Sequence, residues 1–121
     1  MPAALDVVRA KFDAVNRHDL HAITSAYAAD ARVMASDFCS ARVGRDEVQR
    51  TYTALLAVED LSVRVDETIA DGSRVLARIR VRGAVRGQRF EIPVANYLEV
   101  RDGFIAYDLG VFDTAARPCQ Q

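Results

Sequence analysis

Several residue types and patterns are scarce in this chain, and their scarcity excludes several classes of protein. Of the 16 lysine and arginine residues only Lys11 is a lysine, and 17 acidic residues balance them. With a net charge of −1, we expect no nucleic-acid partner and no binding to an anionic membrane surface. No apolar run approaches the length of a membrane span. The apolar N-terminus is interrupted by charges, unlike a secretion signal, so we expect a cytoplasmic protein.

Sequence signals for bound cofactors are also missing. The histidines, His18 and His21, form no cluster with cysteines or carboxylates at the spacing of a metal site. The chain has no glycine-rich loop of the kind that holds phosphate groups. We therefore expect neither a metal ion nor another cofactor.

The 121 residues, half of them hydrophobic, suffice for one domain with a buried core. We assign residues 1–121 to this domain and treat residues 114–121 as a tail. Apolar residues at helical spacing predict three helices in the first half of the chain, and period-two alternation predicts antiparallel strands in the second half. Helices followed by a run of antiparallel strands are typical of an α+β fold with helices on one face of a sheet.

The last two predicted strands, from Phe90 to Asp113, are joined by a tight loop at Arg101-Asp102-Gly103. Within the second of them, Asp108 lies among isoleucine, leucine, valine and aromatic residues. A carboxylate in such surroundings is costly to desolvate unless it is paired. In a pocket it can serve as a proton-transfer group. Asp108 is therefore our first candidate for a general acid or base, and the alternative is that it faces outward and pairs with an arginine.

A three-residue loop would place Asn96 directly opposite Asp108 and on the same face of the sheet. Such a polar pair could orient a substrate oxygen inside a pocket. The alternative is an exposed asparagine on the convex side of the sheet.

Three stretches of the sequence are informative when taken in order: FDAVNRHDLHAITSAYAADARV, VGRDEVQRTYTALL and GQRFEIPVANYLEVRDGFIAYDLGVFD. Together they resemble the nuclear transport factor 2-like, or cystatin-like, superfamily. The resemblance runs from Val7 to Asp113 and is closest by pattern to the SnoaL-like proteins. It implies a cone-shaped α+β barrel in which three N-terminal helices pack in a curved antiparallel sheet. It also implies a pocket for a small apolar molecule and a homodimer built from the sheet.

The relatives named by this resemblance include polyketide cyclases, ketosteroid isomerases and limonene-type epoxide hydrolases, and fold alone does not choose among them. The resemblance implies a cofactor-independent enzyme of the cyclase or isomerase type. The resemblance does not imply a standard ketosteroid isomerase, because Lys11 and Ala35 occupy the positions at which that enzyme has its catalytic phenol and its base. The alternatives are a non-catalytic domain that binds a small ligand or a protein, and an epoxide hydrolase-like enzyme.

Alignment with these relatives suggests which residues line the pocket. We predict three catalytic residues, Asp108, Asn96 and Asp37, and seven substrate-binding residues: Phe12, Tyr27, Met34, Tyr52, Arg78, Gly110 and Phe112. Core packing is the alternative role for the two tyrosines, and an exposed turn is the alternative for Asp37. The alignment with the hydrolases places Arg78 in the pocket as a partner for Asp108 or an anionic ligand group. The alternatives are a solvated outer face of the sheet, which the charges of its strand favour, and a dimer interface.

Overall fold

The computed structural model describes residues 2–114, so the predicted tail lies almost wholly outside the described residues. The helices are α1 (Ala4–Asn16), α2 (Leu20–Ser25) and α3 (Arg45–Leu56). The strands are β1 (Tyr27–Ala35), β2 (Arg42–Val43), β3 (Glu59–Asp71), β4 (Arg74–Val85), β5 (Gln88–Arg101) and β6 (Phe104–Val111). Among these described residues, no helix is both long enough and apolar enough to cross a membrane.

The helices form where the apolar spacing predicted them. On α1, Val8, Phe12 and Val15 are buried, and Lys11 is buried on the same side of the helix. Asp19 caps α2, since its Oδ1 accepts a hydrogen bond of 3.0 Å from the backbone N–H of Ala22. The buried apolar side chains of the helices pack against the inner face of the sheet.

The strands form an open six-stranded sheet in the order β2-β1-β6-β5-β4-β3. The α+β fold, with helices packed against a curved sheet, is thereby confirmed, and the sheet does not close into a complete barrel. One neighbouring pair departs from the expected antiparallel pattern, because β1 and β6 run parallel. This pairing extends β1 back to Tyr27, so Tyr27 is the first residue of a strand that begins just after α2.

The turn between β5 and β6 differs from the predicted three-residue loop. Asp102 and Gly103 both have positive φ, 54° and 83°, which is typical of a two-residue type I′ turn. A register shift follows at Glu99–Val100, and Asp108 then pairs with Leu98 while Asn96 pairs with Gly110. The prediction that Asn96 lies directly opposite Asp108 is therefore wrong. Because the displacement is two residues, the two side chains still share the inner face.

The outer face of β3 and β4 carries a cluster of charges that we call the Asp66 cluster. Asp66 accepts two hydrogen bonds from Arg80, of 2.7 and 3.1 Å, and it also forms ion pairs with Arg64 and Arg78. The side chain of Arg78 is 63 % exposed and reaches Glu67 as well. Strand alternation places the arginines of β4 outside because Val75, Ala77 and Ile79 face the core. This placement corrects the expectation that Arg78 points into the pocket.

Candidate active site

A cavity of about 470 Å³ lies between the helices and the inner face of the sheet. Most of its lining is aliphatic and aromatic, with side chains from α1, α3 and all six strands. Three polar residues of the lining are almost fully buried: Lys11 is 3 % exposed, Asn96 4 % and Asp108 5 %. The lining near Asp37 and Arg42 is only half-buried, so the cavity runs from a rim that solvent reaches to a polar group deep inside.

Asp108 lies at the centre of the deep polar group. Its Oδ2 accepts a hydrogen bond of 2.5 Å from the Tyr27 hydroxyl and lies 3.6 Å from Nζ of Lys11. Its Oδ1 accepts a hydrogen bond of 2.7 Å from Nδ2 of Asn96. An ionised carboxylate can only accept hydrogen bonds, and these three neighbours are all donors. The surroundings therefore suit a charged Asp108 side chain.

The two tyrosines link Asp108 to α3. The hydroxyls of Tyr27 and Tyr52 are 2.9 Å apart, and the rings lie 6.0 Å apart in a tilted arrangement. Because the single Tyr27 hydrogen is directed at Asp108, Tyr52 donates to Tyr27. Nζ of Lys11 lies 5.4 Å from the centre of the Tyr52 ring, which brings the chain of polar contacts back to α1.

The protonation states of this group follow from its contacts. Burial lowers the pKa of the Lys11 ammonium, but its interactions with Tyr52 and Asp108 outweigh burial, so the pKa lies above its ordinary value. Burial and the neighbouring Asp108 raise the pKa of the Tyr27 phenol well above its ordinary value. Burial also raises the pKa of Tyr52, although Lys11 opposes it. Near neutral pH, Lys11 is thus an ammonium ion, and both tyrosines are neutral phenols.

Asn96 holds the carboxylate of Asp108 and does not offer its amide hydrogens to the cavity. Its Nδ2 donates to Asp108 Oδ1 at 2.7 Å and to the carbonyl oxygen of Leu109 at 3.0 Å. An amide nitrogen has two hydrogens, and both are engaged here. The geometry therefore gives Asn96 a positioning role beside Asp108.

The other predicted site residues fall into two groups. Six of them line the cavity, from α1, α3, β1, β6 and the residues that follow β1 and β6: Phe12, Tyr52, Met34, Gly110, Asp37 and Phe112. Tyr27 is fully buried and touches Asp108 without being part of the lining, which corrects the expectation that it contacts substrate. Arg78, on the outer face, is also absent from the lining.

Lys11 is the residue of this site that the sequence reading did not select. It was recognised only as the replacement for a phenol, although two signals pointed to it. It follows Val8 by three residues and precedes Val15 by four, so helical spacing places it on the apolar face of α1. It is also the only lysine in the chain. A lone lysine on a buried helix face needs a partner inside, and Asp108 is that partner.

A second and slightly larger groove, of about 550 Å³, lies outside the cone between α2 and α3. Its lining includes His21, Thr24, Arg45 and Phe104 but no carboxylate. Its lining contains no paired acid and base, unlike that of the smaller cavity. Among residues 2–114, no group of three or more His, Cys, Asp or Glu side chains could hold a metal ion.

The sequence and the fold match known proteins. The profile of a family described as the SnoaL-like domain matches residues 8–107. No curated protein matches the chain. A protein from Catenulispora acidiphila with a ketosteroid isomerase-like fold, solved with trimethylamine, is similar with a TM-score of 0.82 and 20 % identity, over 91 % of this chain and 87 % of that one.

Two further solved structures are named for enzymes. An M. tuberculosis epoxide hydrolase of the LEH-like type has a TM-score of 0.81 and 22 % identity, over 93 % of this chain and 84 % of its own. A candidate polyketide cyclase from Sinorhizobium meliloti has a TM-score of 0.74 and 25 % identity, over 91 % and 94 %. These likenesses show the fold, and the three neighbours are named for a ketosteroid isomerase-like fold, an epoxide hydrolase and a polyketide cyclase.

Proposed function

We propose that this chain, which belongs to the SnoaL-like domain family, is a cofactor-independent enzyme that moves a proton on a small apolar carbonyl compound. The carbonyl compound would occupy the 470 Å³ cavity. Asp108 is the proton-transfer group in this proposal, and Lys11 is the cation that stabilises the oxygen of the substrate. The reaction is of the isomerase or cyclase type.

The observation that carries this proposal is the ion pair of Lys11 and Asp108 in the wall of an apolar cavity. Desolvating two charges costs several kcal/mol per ion, and a buried pair is often no more stabilising than apolar residues of similar volume. Charged groups buried beside a cavity are therefore candidates for function. Here the pair is not sealed inside the core, because both residues contribute to the cavity lining.

The geometry suggests one sequence of proton movements. Asp108 removes a proton from the carbon next to the carbonyl, and the electron pair of that C–H bond moves to the carbonyl oxygen. The Lys11 ammonium has three N–H groups, so it can donate a hydrogen bond to this enolate oxygen while it remains charged and beside Asp108. In an isomerisation, Asp108 returns the proton to a different carbon. In a cyclisation, the enolate carbon bonds to a second carbonyl carbon, whose oxygen receives the proton.

Two alternatives have less support. The first is a binding domain without catalysis. It is favoured by the hydrogen bonding of Asn96, because both of its amide hydrogens are donated within the protein and neither is left for a substrate. An epoxide hydrolase-like reaction would use an arginine relay, and its predicted arginine, Arg78, lies on the outer face. A homodimer, a cytoplasmic location and the absence of nucleic-acid and membrane partners stay predictions.

The proposal is tested by proton exchange, which does not require the natural substrate. The protein is incubated in D₂O with apolar ketones such as 2-tetralone, and deuterium incorporation next to the carbonyl is followed by mass spectrometry. We expect Asp108→Asn to lower the catalysed rate by about 10²- to 10⁴-fold, the usual contribution of a positioned acid–base group.

The matched control is Asp66→Asn, which also removes an ion-paired carboxylate but from the outer face; we expect it to leave the rate unchanged. Because Asp108→Asn leaves Lys11 without a counter-ion, urea unfolding of Asp108→Asn itself checks that the loss of rate is not due to loss of folding. If the wild type accelerates none of the ketones, or if folded Asp108→Asn retains the rate, the binding-domain alternative is preferred.

A further inference from the structure

The rim of the cavity carries an arginine whose charge the described residues leave unmatched. Arg42 lies in β2 and contributes to the cavity lining. Within residues 2–114, no carboxylate oxygen forms an ion pair with its guanidinium group, whereas most arginines of the outer sheet face have such a partner. Asp37 lies in the same rim but is not paired with Arg42.

Although Arg42 has no acidic partner, its side chain is held in place. Its guanidinium carbon lies 3.7 Å from the centre of the Phe38 ring, which is a stacked cation–π contact. Its Nη1 donates to Oγ1 of Thr51 at 2.9 Å, and Thr51 in turn donates to the carbonyl oxygen of Glu47 at 2.8 Å. A guanidinium group has five N–H donors, so four remain after this bond.

A fixed, planar and unpaired guanidinium group is suited to a carboxylate, which it can bind through two parallel hydrogen bonds. The deep end of the cavity has no such spare charge, because the charge of Lys11 is balanced by that of Asp108. The two ends of the cavity therefore differ in the ligand group they can accept. The rim suits an anion, and the deep end suits a neutral carbonyl.

We propose that Arg42 forms a carboxylate-binding subsite at the rim, so that the substrate is an apolar molecule with a carboxylate at one end. The apolar body would fill the cavity between Phe12 and Ile92, both of which belong to its lining. This inference rests on the proposed function only in requiring that the cavity binds a small apolar molecule.

The test compares two probes of the same shape that differ in charge, 2-naphthoate and 2-naphthamide, by calorimetric measurement of Kd at low salt. We expect the wild type to bind the acid at least about tenfold more tightly than the amide, a preference that corresponds to about 1.4 kcal/mol. Arg42→Gln should bring the ratio of the two Kd values close to one. Arg42→Lys should keep part of the preference, because it retains the charge and loses the planar pair of donors.

Matched variants separate the rim from other sources of positive charge. Arg9→Gln removes an exposed arginine of α1 that does not line the cavity, and it should leave the preference intact. Asp37→Asn should increase the preference, because it removes a negative charge from the same rim. If Lys11→Met abolishes the preference and Arg42→Gln does not, the carboxylate binds at the deep end and the proposal is wrong.

The remaining outcomes distinguish this inference from the proposed function. Equal binding of both probes by the wild type overturns the carboxylate subsite and leaves the proton-transfer proposal standing. Binding of neither probe overturns both, because the cavity would then not accept a small apolar molecule. Loss of folding in Arg42→Gln is controlled by Arg42→Lys, for which the same ratio is measured.

Discussion

Asp108 and Asp66 are both carboxylates surrounded by donors, but they lie on opposite faces of the same sheet. Asp66 is covered by the guanidinium groups of Arg64, Arg78 and Arg80, which stand at the protein surface. Asp108 has one cation, Lys11, and is otherwise held by neutral donors inside the cone. The outer cluster can lose any one cation and still be neutralised, whereas the inner pair depends on each partner. Dependence of this kind is costly for stability and suits a reactive site.

The difference between the two carboxylates is tested most strongly by removing one cation from each of them. We expect Lys11→Met to destabilise the protein by about 3–5 kcal/mol, because it leaves the buried Asp108 charge without its partner. Arg78→Gln should cost about 0–1 kcal/mol, because its exposed side chain shares Asp66 with two other arginines. Urea unfolding of both variants measures the difference.

The double variant Lys11→Met/Asp108→Asn sharpens the same point. It removes both charges while keeping the shape of the site, so we expect it to recover most of the stability that Lys11→Met loses. A double variant as unstable as the single one would show that the loss comes from packing of the lysine stem and not from the unpaired charge.

A second pair of variants compares the same hydrogen bond in two environments. Tyr27 donates to Asp108 inside the cone, and Tyr97 donates to Glu99 at 2.9 Å on the exposed face. A buried bond to a charged group contributes about 1.5–3 kcal/mol, so Tyr27→Phe should lower the unfolding free energy by that amount. Tyr97→Phe should leave it almost unchanged. Equal effects in urea unfolding would mean that burial does not distinguish the two hydrogen bonds.

The smallest expected effect is on the pH dependence of stability, and its sign is opposite for the two clusters. The raised pKa of Lys11 gives a stabilisation that is complete below its ordinary value of 10.5 and is lost as pH rises through the raised value. The hydrogen bond from Arg80 lowers the pKa of Asp66, so that stabilisation is present above 3.8 and is lost as pH falls through the lowered value.

Thermal unfolding across the pH range measures both limbs. Lys11→Met/Asp108→Asn should make the alkaline limb shallower, although Tyr27 and Tyr52 keep part of it because their pKa values are also raised. Asp66→Asn should make only the acid limb shallower. A variant that changes the opposite limb would contradict the assignment of charges to the two faces.

The sequence predicted the fold and part of the site for different reasons. The helices and the alternation of β4 follow from local periodicity, which needs no knowledge of distant residues. Asp108 could be selected because it interrupts an apolar strand. Local periodicity could not place Tyr27, because its strand is defined by parallel pairing with β6, some 80 residues further along the chain.

The remaining errors have similar physical causes. The tight turn and the register shift together displace the pairing of Asn96 by two residues. Because side chains alternate with a period of two, this displacement leaves Asn96 on the predicted face. Arg78 was assigned to the cavity by alignment, although strand alternation placed it outside. Lys11 depends on local and on distant information. Its position on the helix predicts that it is buried, but the partner that a buried lysine needs lies far along the chain and local periodicity does not locate it.

The parallel pairing of β1 with β6 also has a consequence for how the protein is made. The partners of Asp108 include Lys11 and Tyr27, which leave the ribosome long before the last strand does. Until β6 is in place, Lys11 lacks its counter-ion Asp108, and the edge of β1 that pairs with β6 has no neighbouring strand. Non-local pairing of this kind delays folding. During synthesis, then, the candidate active site cannot form until β6 is in place, and the same strand joins β1 to the rest of the sheet.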